Sequence, residues 1–228
     1  MNSIDMSSNT LVKSKDDLFV PKDNVGVITA YLPEENQFAI MFNNNKWISF
    51  SFSEKDFFNH FEIMEQFTFF WGGEFSQWFP SNFVIDGIKY STCEKYMMAK
   101  KAELFGDTDI LDKIMKSDDP RQVKAFGRLI KGFDKDKWEA VCKKIVYDGN
   151  YAKFTQNKKL LNVLNNTHGT TLVEASPEDK IWGIGLAAYD PRSKDRNKWL
   201  GTNWLGEVIT QVREDILKTV KKEAKEAV

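Results

Sequence analysis

Glu94 and Lys101 lie seven residues apart in a segment whose pattern predicts a helix over residues 92–105. Seven residues make two helical turns, so the acid and the base share one face of that helix. The loop just before the helix is rich in aromatic residues, including Phe75 and Trp78. A carboxyl group and an amine beside aromatic rings favour a site that stacks a flat ring and transfers protons.

Structural roles remain open for the same residues. Ser91 and Glu94 have the spacing of a capping box, in which the Glu side chain returns to the backbone N–H of the cap residue. Lys101 also fits a solvated helix surface, and Trp78 also fits a core or loop anchor. Residue types alone do not decide between these roles and chemistry.

A second candidate segment, residues 173–185, has the pattern of a strand followed by an acidic loop with two glycines. Asp179 can hold a sugar hydroxyl or a water molecule, or it can form an Asx turn. Trp182 suits ring stacking or core packing. Gly183 and Gly185 let the backbone approach a phosphate or a ring closely, although they do not complete a dinucleotide-binding fingerprint.

Short local signals predict the elements that position both segments. Asp86-Gly87 between two apolar runs predicts a hairpin that leads directly into the helix of the acid and the base. Further along, a long helix carries Trp138 and is predicted to be interrupted or kinked at Gly149. Asn203 fits the N-cap of the last helix, whose free N–H groups suit a phosphate.

The composition of the 228 residues is that of a globular protein with one large domain, or one domain with an appendage. The 32 basic and 33 acidic residues give a net charge of −1, which argues against strong non-specific binding of nucleic acid through a basic field. The two cysteines and two histidines are isolated, so no metal site or disulfide scaffold is predicted. Scarce cysteine, with no signal peptide or membrane span in the pattern, predicts a cytoplasmic protein.

The chain divides into four predicted segments. Three short strands are predicted at 25–31, 37–42 and 46–52. They form a β-rich part whose pattern shows no set of candidate catalytic residues. The predicted segments are a flexible tail over residues 1–22, a small β-rich appendage over 23–64, a main domain over 65–220 and a charged tail over 221–228.

Several segments between residues 67 and 217, in order and at matching spacing, resemble the NADAR family, the YbiA-like N-glycosidases. Asn82 departs from the family, many members of which have a second proline there. The segments that carry the resemblance are Phe75-Ser76-x-Trp78, Asp86-Gly87, Cys93-Glu94-x-Tyr96-Met97-Met98-Ala99-x-Lys101-Ala102, Phe105-Gly106-Asp107, Lys124-Ala125-Phe126-Gly127-Arg128, Phe133 with Trp138, Gly149-Asn150-x-Ala152-Lys153-Phe154-x-Gln156-Asn157, Leu172-Val173-Glu174-Ala175-Ser176, Asp179-x-x-Trp182-Gly183-Ile184-Gly185, and Trp199-x-Gly201-x-Asn203-x-Leu205-Gly206 with Val212-Arg213.

The resemblance implies an α+β fold, a compact and mainly helical domain, with the small β appendage outside it. It also implies an enzyme, an N-glycosidase that cleaves the C1′–N bond of ribosylated nucleotides. We expect no cofactor, and the scarce histidines and cysteines predict no metal. One branch of the family removes ADP-ribose from guanine bases in nucleic acid, and the other hydrolyses phosphoribosylaminopyrimidine intermediates of riboflavin synthesis. Members of the riboflavin branch are often fused to a biosynthetic domain, so the first branch is the expectation here.

The resemblance also suggests roles for individual residues. Glu94 would orient water or stabilise the sugar cation, and Lys101 would donate a proton or trap the opened sugar as a Schiff base. Asp179 would position ribose hydroxyls or water. The expected substrate-binding residues are Phe75, Ser76, Trp78, Arg128, Lys153, Trp182, Gly183, Gly185 and Asn203.

Two other classes of function stay open from the sequence. A module that binds ADP-ribose without turnover would use the same stacking and phosphate contacts. A structural adaptor would act through the β-rich appendage. The expected partner is a nucleotide or an ADP-ribosylated nucleic acid, with no membrane, and the sequence identifies no protein partner.

Overall fold

The computed structural model describes residues 10–32, 35, 37–42, 47–51 and 54–226. The chain forms two compact units, Met1–Gln66 and Phe67–Val228. Residues 1–9 of the predicted tail, residues 33–34, 36, 43–46 and 52–53 of the β-rich part, and residues 227–228 lie outside the described residues.

The described residues of the first unit form a five-stranded antiparallel sheet and one short α-helix. The three strands predicted from the sequence are present, and phenylalanines from the sheet and the helix share its core. The strand order is β4-β3-β2-β1-β5, and the elements are β1 (Leu11–Ser14), β2 (Val25–Leu32), β3 (Gln37–Phe42), β4 (Trp47–Ser51), α1 (Glu54–His60) and β5 (Phe61–Ile63).

Strand β1 corrects the prediction of a flexible tail over residues 1–22. Val12 and Ser14 alternate with less buried neighbours, and the strand pairs with β2 on one side and β5 on the other. The polar composition of this stretch hid a short strand that buries one face. The prediction is therefore wrong for Leu11–Ser14.

The second unit is α+β and mainly helical, as predicted. Its strands pair as two separate two-stranded sheets, β6 with β9 and β7 with β8. The elements are β6 (Phe67–Phe70), β7 (Phe83–Ile85), β8 (Ile88–Tyr90), α2 (Cys93–Phe105), α3 (Thr108–Lys116), α4 (Pro120–Arg128), α5 (Lys135–Glu139), α6 (Cys142–Thr155), α7 (Lys158–Asn165), β9 (Thr171–Glu174) and α8 (Trp204–Glu226).

The predicted hairpin before α2 is confirmed. Asp86 and Gly87 have φ angles of 51° and 78°, the pair of positive angles that a two-residue hairpin turn of the primed type requires. The helix cap differs by one residue from the prediction. Thr92, not Ser91, is the N-cap of α2, and its hydroxyl accepts a hydrogen bond from the Lys95 backbone N–H at 3.1 Å.

The predicted interruption at Gly149 is wrong, because α6 continues through it. A Cβ at this position would lie 2.8 Å from Cδ1 of Tyr96, so the glycine permits close packing of α6 on α2. The predicted long helix is instead divided between α5 and α6, around Ala140 and Val141.

At the other end of the unit, α8 extends to Glu226 and includes most of the predicted charged tail.

Two features of the second unit bring separate segments of the chain together. Strands β6 and β9 pair in parallel, so the loops that follow them start at the same edge of the sheet. Helix α2 packs against α3, α4 and α6, and its buried face includes Met97 and Met98. A site formed by α2, α4 and the two loops follows from this arrangement.

Candidate active site

A cavity of about 730 Å³ lies in the second unit, within the size range of small-molecule sites. Helices α2 and α4 and the loops that follow β6 and β9 supply most of its walls. Its lining residues are Trp71, Gly72, Ser76, Gln77, Trp78, Glu94, Met97, Met98, Lys101, Lys124, Gly127, Arg128, Trp138, Glu174, Ser176, Glu178, Asp179, Ile181, Trp182 and Leu205.

Glu94 and Lys101 line this cavity from one face of α2, as their spacing predicts. Met97 and Met98 lie between them on the same wall. The Glu94 side chain belongs to no capping box, because Thr92 is the cap residue. Its backbone N–H donates to the Gln77 carbonyl at 2.9 Å and so ties the start of α2 to the aromatic loop.

The carboxyl group of Glu94 is in an environment that holds a proton near neutral pH. Burial raises its pKa to about 7, and the negative charge of Asp179 acts in the same direction. Lys124, Arg128 and a hydrogen bond from the Trp78 side chain favour the ionised form. A group balanced in this way can give or accept a proton under physiological conditions.

Lys101 lies among aromatic rings on the opposite end of the same wall. Its Nζ donates to the Gly127 carbonyl at 3.1 Å and lies 4.2 Å from the centre of the Phe133 ring and 5.6 Å from that of Trp138. Burial lowers the pKa of the amine, while the charge of Glu94 raises it. Partial desolvation makes a lysine a better nucleophile and a better proton donor than one in water.

Asp179 lines the cavity and also organises its own loop. One carboxylate oxygen, Oδ1, accepts from the backbone N–H groups of Ile181 at 2.9 Å and Trp182 at 2.7 Å. The Asx turn considered from the sequence is therefore present. Because a carboxylate has a second oxygen, Asp179 can hold this turn and still accept a hydrogen bond from a ligand.

Two tryptophans form aromatic walls of the cavity. Trp78 has an exposed fraction of 37%, and the Lys124 Nζ lies 5.6 Å from the centre of its ring. Trp182 packs edge to face on Trp204, with ring centres 5.8 Å apart, which fixes the orientation of its indole. Both rings are available to a planar ligand group in the cavity.

Arg128 and Lys124 bring positive charge to the cavity from α4. They are four residues apart and so share one face of that helix. Arg128 was expected from the sequence, whereas Lys124 was not assigned a role. The spacing of the two cations within one helix was the signal that could have identified Lys124.

Ser76 lines the cavity, whereas Phe75 and Lys153, which were also predicted to bind the substrate, do not. Phe75 is buried in the core, where its ring packs against Phe70 and Phe154. Lys153 is fully buried, and its Nζ donates to the Ser76 carbonyl at 3.0 Å. Phe75 and Lys153 therefore support the aromatic loop from behind, and neither contributes to the surface of the cavity.

Asn203, Gly183 and Gly185 likewise lie outside the cavity lining. The amide of Asn203 is fully buried and bridges β9, accepting from the Glu174 N–H at 2.9 Å and donating to the Leu172 carbonyl at 3.0 Å. Its side chain is therefore not available as a phosphate ligand. A Cβ on Gly183 would meet backbone atoms, and Gly185 has a φ of +67°, so both glycines serve the packing and path of the loop.

Glu174 was quoted in the sequence pattern but not assigned to the site. It ends β9, lines the cavity, and its Oε2 atom is buried without a hydrogen-bond partner. Burial raises its pKa to about 7, and Asp179 and Glu94 act in the same direction. Nothing in the local pattern distinguishes this residue, because its environment depends on segments far away in the chain.

Among the residues that the structure describes, no group of three or more His, Cys, Asp or Glu side chains is arranged to hold a metal ion. Within the same residues, no helix combines the length and the apolar character that crossing a lipid bilayer requires.

Comparison with known proteins identifies relatives of the second unit. The model of the NADAR domain matches residues 69–217. N-glycosidase R617 of Acanthamoeba polyphaga mimivirus is 44% identical over 146 residues, which are 62% of this chain and 86% of that protein. The riboflavin biosynthesis protein PYRR of Zea mays is 31% identical over 160 residues, 65% of this chain but only 24% of the maize protein.

A solved structure has the same fold. The NMR structure of the Escherichia coli protein YbiA matches with a TM-score of 0.57 and 24% sequence identity. The match covers 71% of this chain and 89% of the YbiA chain.

Proposed function

This chain belongs to the NADAR family and is a hydrolase of glycosidic bonds, and from that premise we propose that it removes ADP-ribose from guanine bases of nucleic acid. The reaction class follows from relatives named N-glycosidases. The choice of substrate is our proposal. The observation that carries it is a single cavity that combines a proton-holding carboxyl group, Glu94, with two tryptophan walls and two cations.

Hydrolysis of an N-glycoside places positive charge on the sugar and a proton on the departing base. In the proposed reaction the C1′–N bond breaks with its electron pair going to the base nitrogen. Water supplies hydroxide to C1′ and its proton passes to ionised Glu94. Asp179 holds ribose hydroxyls through its free carboxylate oxygen, and Lys124 and Arg128 bind the diphosphate.

Lys101 has two possible roles in this reaction. Protonated, it stabilises the negative charge of ionised Glu94 or hydrogen bonds to the ring oxygen of the ribose. Neutral, its amine can attack the aldehyde of the opened sugar and form a Schiff base, with the carbonyl oxygen leaving as water, and hydrolysis of the Schiff base later restores the amine and the sugar. The pKa of the Lys101 amine is lower than that of a solvated lysine, which favours the second role.

An exposed tryptophan at the cavity supports a polymeric substrate. Trp71 has an exposed fraction of 67%, although it lines the cavity, and it precedes two glycines with positive φ angles. An exposed indole can stack on a base next to the modified guanine, and such stacking contributes about 1–3 kcal/mol per base. A mononucleotide substrate would have no neighbouring base for Trp71.

The alternative substrate is a phosphoribosylaminopyrimidine intermediate of riboflavin synthesis. The similarity to the maize riboflavin biosynthesis protein is the observation that favours it. The same carboxyl, ring and cation groups would serve a smaller ligand. A second alternative is a module that binds ADP-ribose without turnover.

The test offers both substrates to the full chain, in the presence of EDTA, and separates the products by chromatography. Release of free ADP-ribose from an oligonucleotide with ADP-ribosylated guanine supports the proposal. Hydrolysis of the pyrimidine nucleotide alone supports the riboflavin alternative, and binding of the oligonucleotide without release supports the binding module. Trp71→Ala should lower kcat/KM about tenfold or more for the oligonucleotide and leave that for the pyrimidine nucleotide nearly unchanged.

A further inference from the structure

Glu174 has a fixed backbone and an unpartnered side-chain atom. Its N–H donates to Asn203 Oδ1 at 2.9 Å, and its carbonyl accepts from the Ile184 N–H at 2.9 Å. The carboxyl group lines the cavity, and its buried Oε2 atom has no hydrogen-bond partner. A buried carboxylate oxygen without a partner is costly when it is charged, so this position favours the protonated acid or a ligand that donates to it.

The charges that face Glu174 reinforce this preference. Asp179 and Glu94 both disfavour its ionised form, and Lys124 alone favours it. Strand β6, the neighbour of β9 in the sheet, contributes only Phe and Thr side chains, and the start of α8 contributes the neutral amide of Asn203. The environment of Glu174 is therefore more negative and less hydrogen-bonded than that of Glu94.

Glu94 and Glu174 together hold about one proton near neutral pH, because each has a pKa of about 7. The charge of Asp179 raises the pKa of both groups, and the charge of Glu94 raises that of Glu174. Their surroundings decide where the negative charge resides. Glu94 has a hydrogen bond from Trp78 and the charges of Lys124 and Arg128, which stabilise its carboxylate. Glu174 has no hydrogen bond at Oε2, so the proton resides there. Two carboxyl groups with different surroundings in one site commonly divide the acid and base roles.

We propose that Glu174 is the general acid of this site and gives its proton to the base nitrogen as the C1′–N bond breaks. The proposal rests on the function proposed above. The bond electrons and the Glu174 proton go to the departing base, water adds to C1′ as hydroxide, and its proton goes to Glu94. The sum is hydrolysis, and proton exchange with solvent restores both carboxyl groups. The role follows from an unpartnered acid and a stabilised carboxylate that line the same cavity.

The kinetic test compares the wild-type chain with Glu174→Gln and with the control Glu103→Gln, a surface residue paired with Lys100. Glu174→Gln should lower kcat by about a hundredfold at pH 7 with little change in KM. In the wild type, kcat should fall as pH rises through the pKa of the acid, because only the protonated form donates. The variant should lack this alkaline fall, and Glu103→Gln should retain it.

A second measurement follows the carboxyl group itself. Glutamate labelled with ¹³C at the side-chain carboxyl, with the Glu174 resonance assigned from its loss in Glu174→Gln, should show titration near pH 7. Titration near the ordinary value of about 4.3 would overturn the proposal, as would an alkaline fall of kcat that persists in Glu174→Gln.

The two measurements separate this proposal from the function on which it rests. If the wild type hydrolyses the pyrimidine nucleotide and not the oligonucleotide, the proposed substrate fails, and the same kinetic comparison decides the role of Glu174 on the pyrimidine. If it hydrolyses neither, the general-acid role fails with the proposed function, even when the carboxyl group titrates near pH 7.

Discussion

The environment of Glu94 distinguishes it from the surface carboxyl groups of α2. It has an exposed fraction of 5% and lines the cavity, whereas Glu103 pairs with Lys100 on the outside of the same helix. We expect Glu94→Gln to lower turnover by at least about a hundredfold and to keep the fold, because the amide fills the same space but cannot accept a proton. Steady-state kinetics and thermal unfolding measure the two effects.

Glu103→Gln is the matched control for this change and should retain activity. A Glu94→Gln variant that unfolds at lower temperature but hydrolyses at a normal rate per folded molecule would assign Glu94 to structure alone.

The raised pKa of Glu94 also predicts how stability depends on pH. The folded protein binds a proton at Glu94 more tightly than the unfolded chain, so the free energy of unfolding should fall as pH rises from about 4.5 to about 7. The full shift corresponds to roughly 3 kcal/mol for this group. Glu94→Gln removes the titration, so the stability of the variant relative to the wild type should increase with pH across that window. Urea unfolding at pH 5 and pH 8 measures this change, and a relative stability that stays constant would contradict it.

Lys101 gives a direct chemical test. Burial lowers the pKa of its amine, and the Phe133 and Trp138 rings lie close to it, so its neutral form is more accessible for attack on an opened ribose than that of a solvated lysine. We expect borohydride, added during turnover, to trap a covalent sugar adduct on Lys101, located by mass spectrometry of peptides. Lys101→Arg should abolish the adduct and most of the activity.

Lys100 precedes it on α2, pairs with Glu103 and should remain unmodified as an internal control. Absence of an adduct together with full activity of Lys101→Arg would remove the lysine from the mechanism.

At the scale of elements, signals contained within a few residues are the ones that the sequence predicts well. The Asp86-Gly87 hairpin and the strand before the acidic loop, β9, are found where the pattern indicates them. Strand β6 was not predicted, because Phe67–Phe70 is a short apolar run whose parallel partner lies about a hundred residues away. Its existence depends on a long-range pairing that no local pattern shows.

Gly149 illustrates how packing overrides local propensity. A helical glycine normally destabilises a helix relative to alanine, yet here its missing side chain allows Tyr96 of α2 to approach α6. We expect Gly149→Ala to lower the free energy of unfolding by about 1–3 kcal/mol, because the added Cβ would lie 2.8 Å from Tyr96. Chemical denaturation measures the change.

Gly149→Ala combined with Tyr96→Leu should lose less stability than the sum of the two single changes, because the smaller side chain relieves the overlap. An increase in stability for Gly149→Ala alone would show that propensity outweighs packing at this position.

At the scale of the whole molecule, the sequence predicted well which segments form the site. It predicted less well which side chains of those segments line the cavity. Glu94, Lys101, Asp179, Trp78, Trp182, Ser76 and Arg128 line one cavity, whereas Lys153 and Asn203 use their polar groups to hold backbone behind it. A motif records that a residue is needed near a site. Whether the side chain touches the ligand or supports a neighbour depends on packing between segments, and the same limit concealed Glu174.

The division into two units predicts that the site needs only the second. All residues that line the cavity lie between Trp71 and Leu205, and the core behind them consists of residues of the same unit. We expect deletion of residues 1–66 to leave a folded domain with kcat and KM within about threefold of the full chain. Circular dichroism, thermal unfolding and the assay of ADP-ribose release measure this. The first unit has a hydrophobic core of its own, formed mostly by residues of its β-strands and α1. A truncated chain that aggregates or loses turnover would show that the first unit completes the fold or the site of the second.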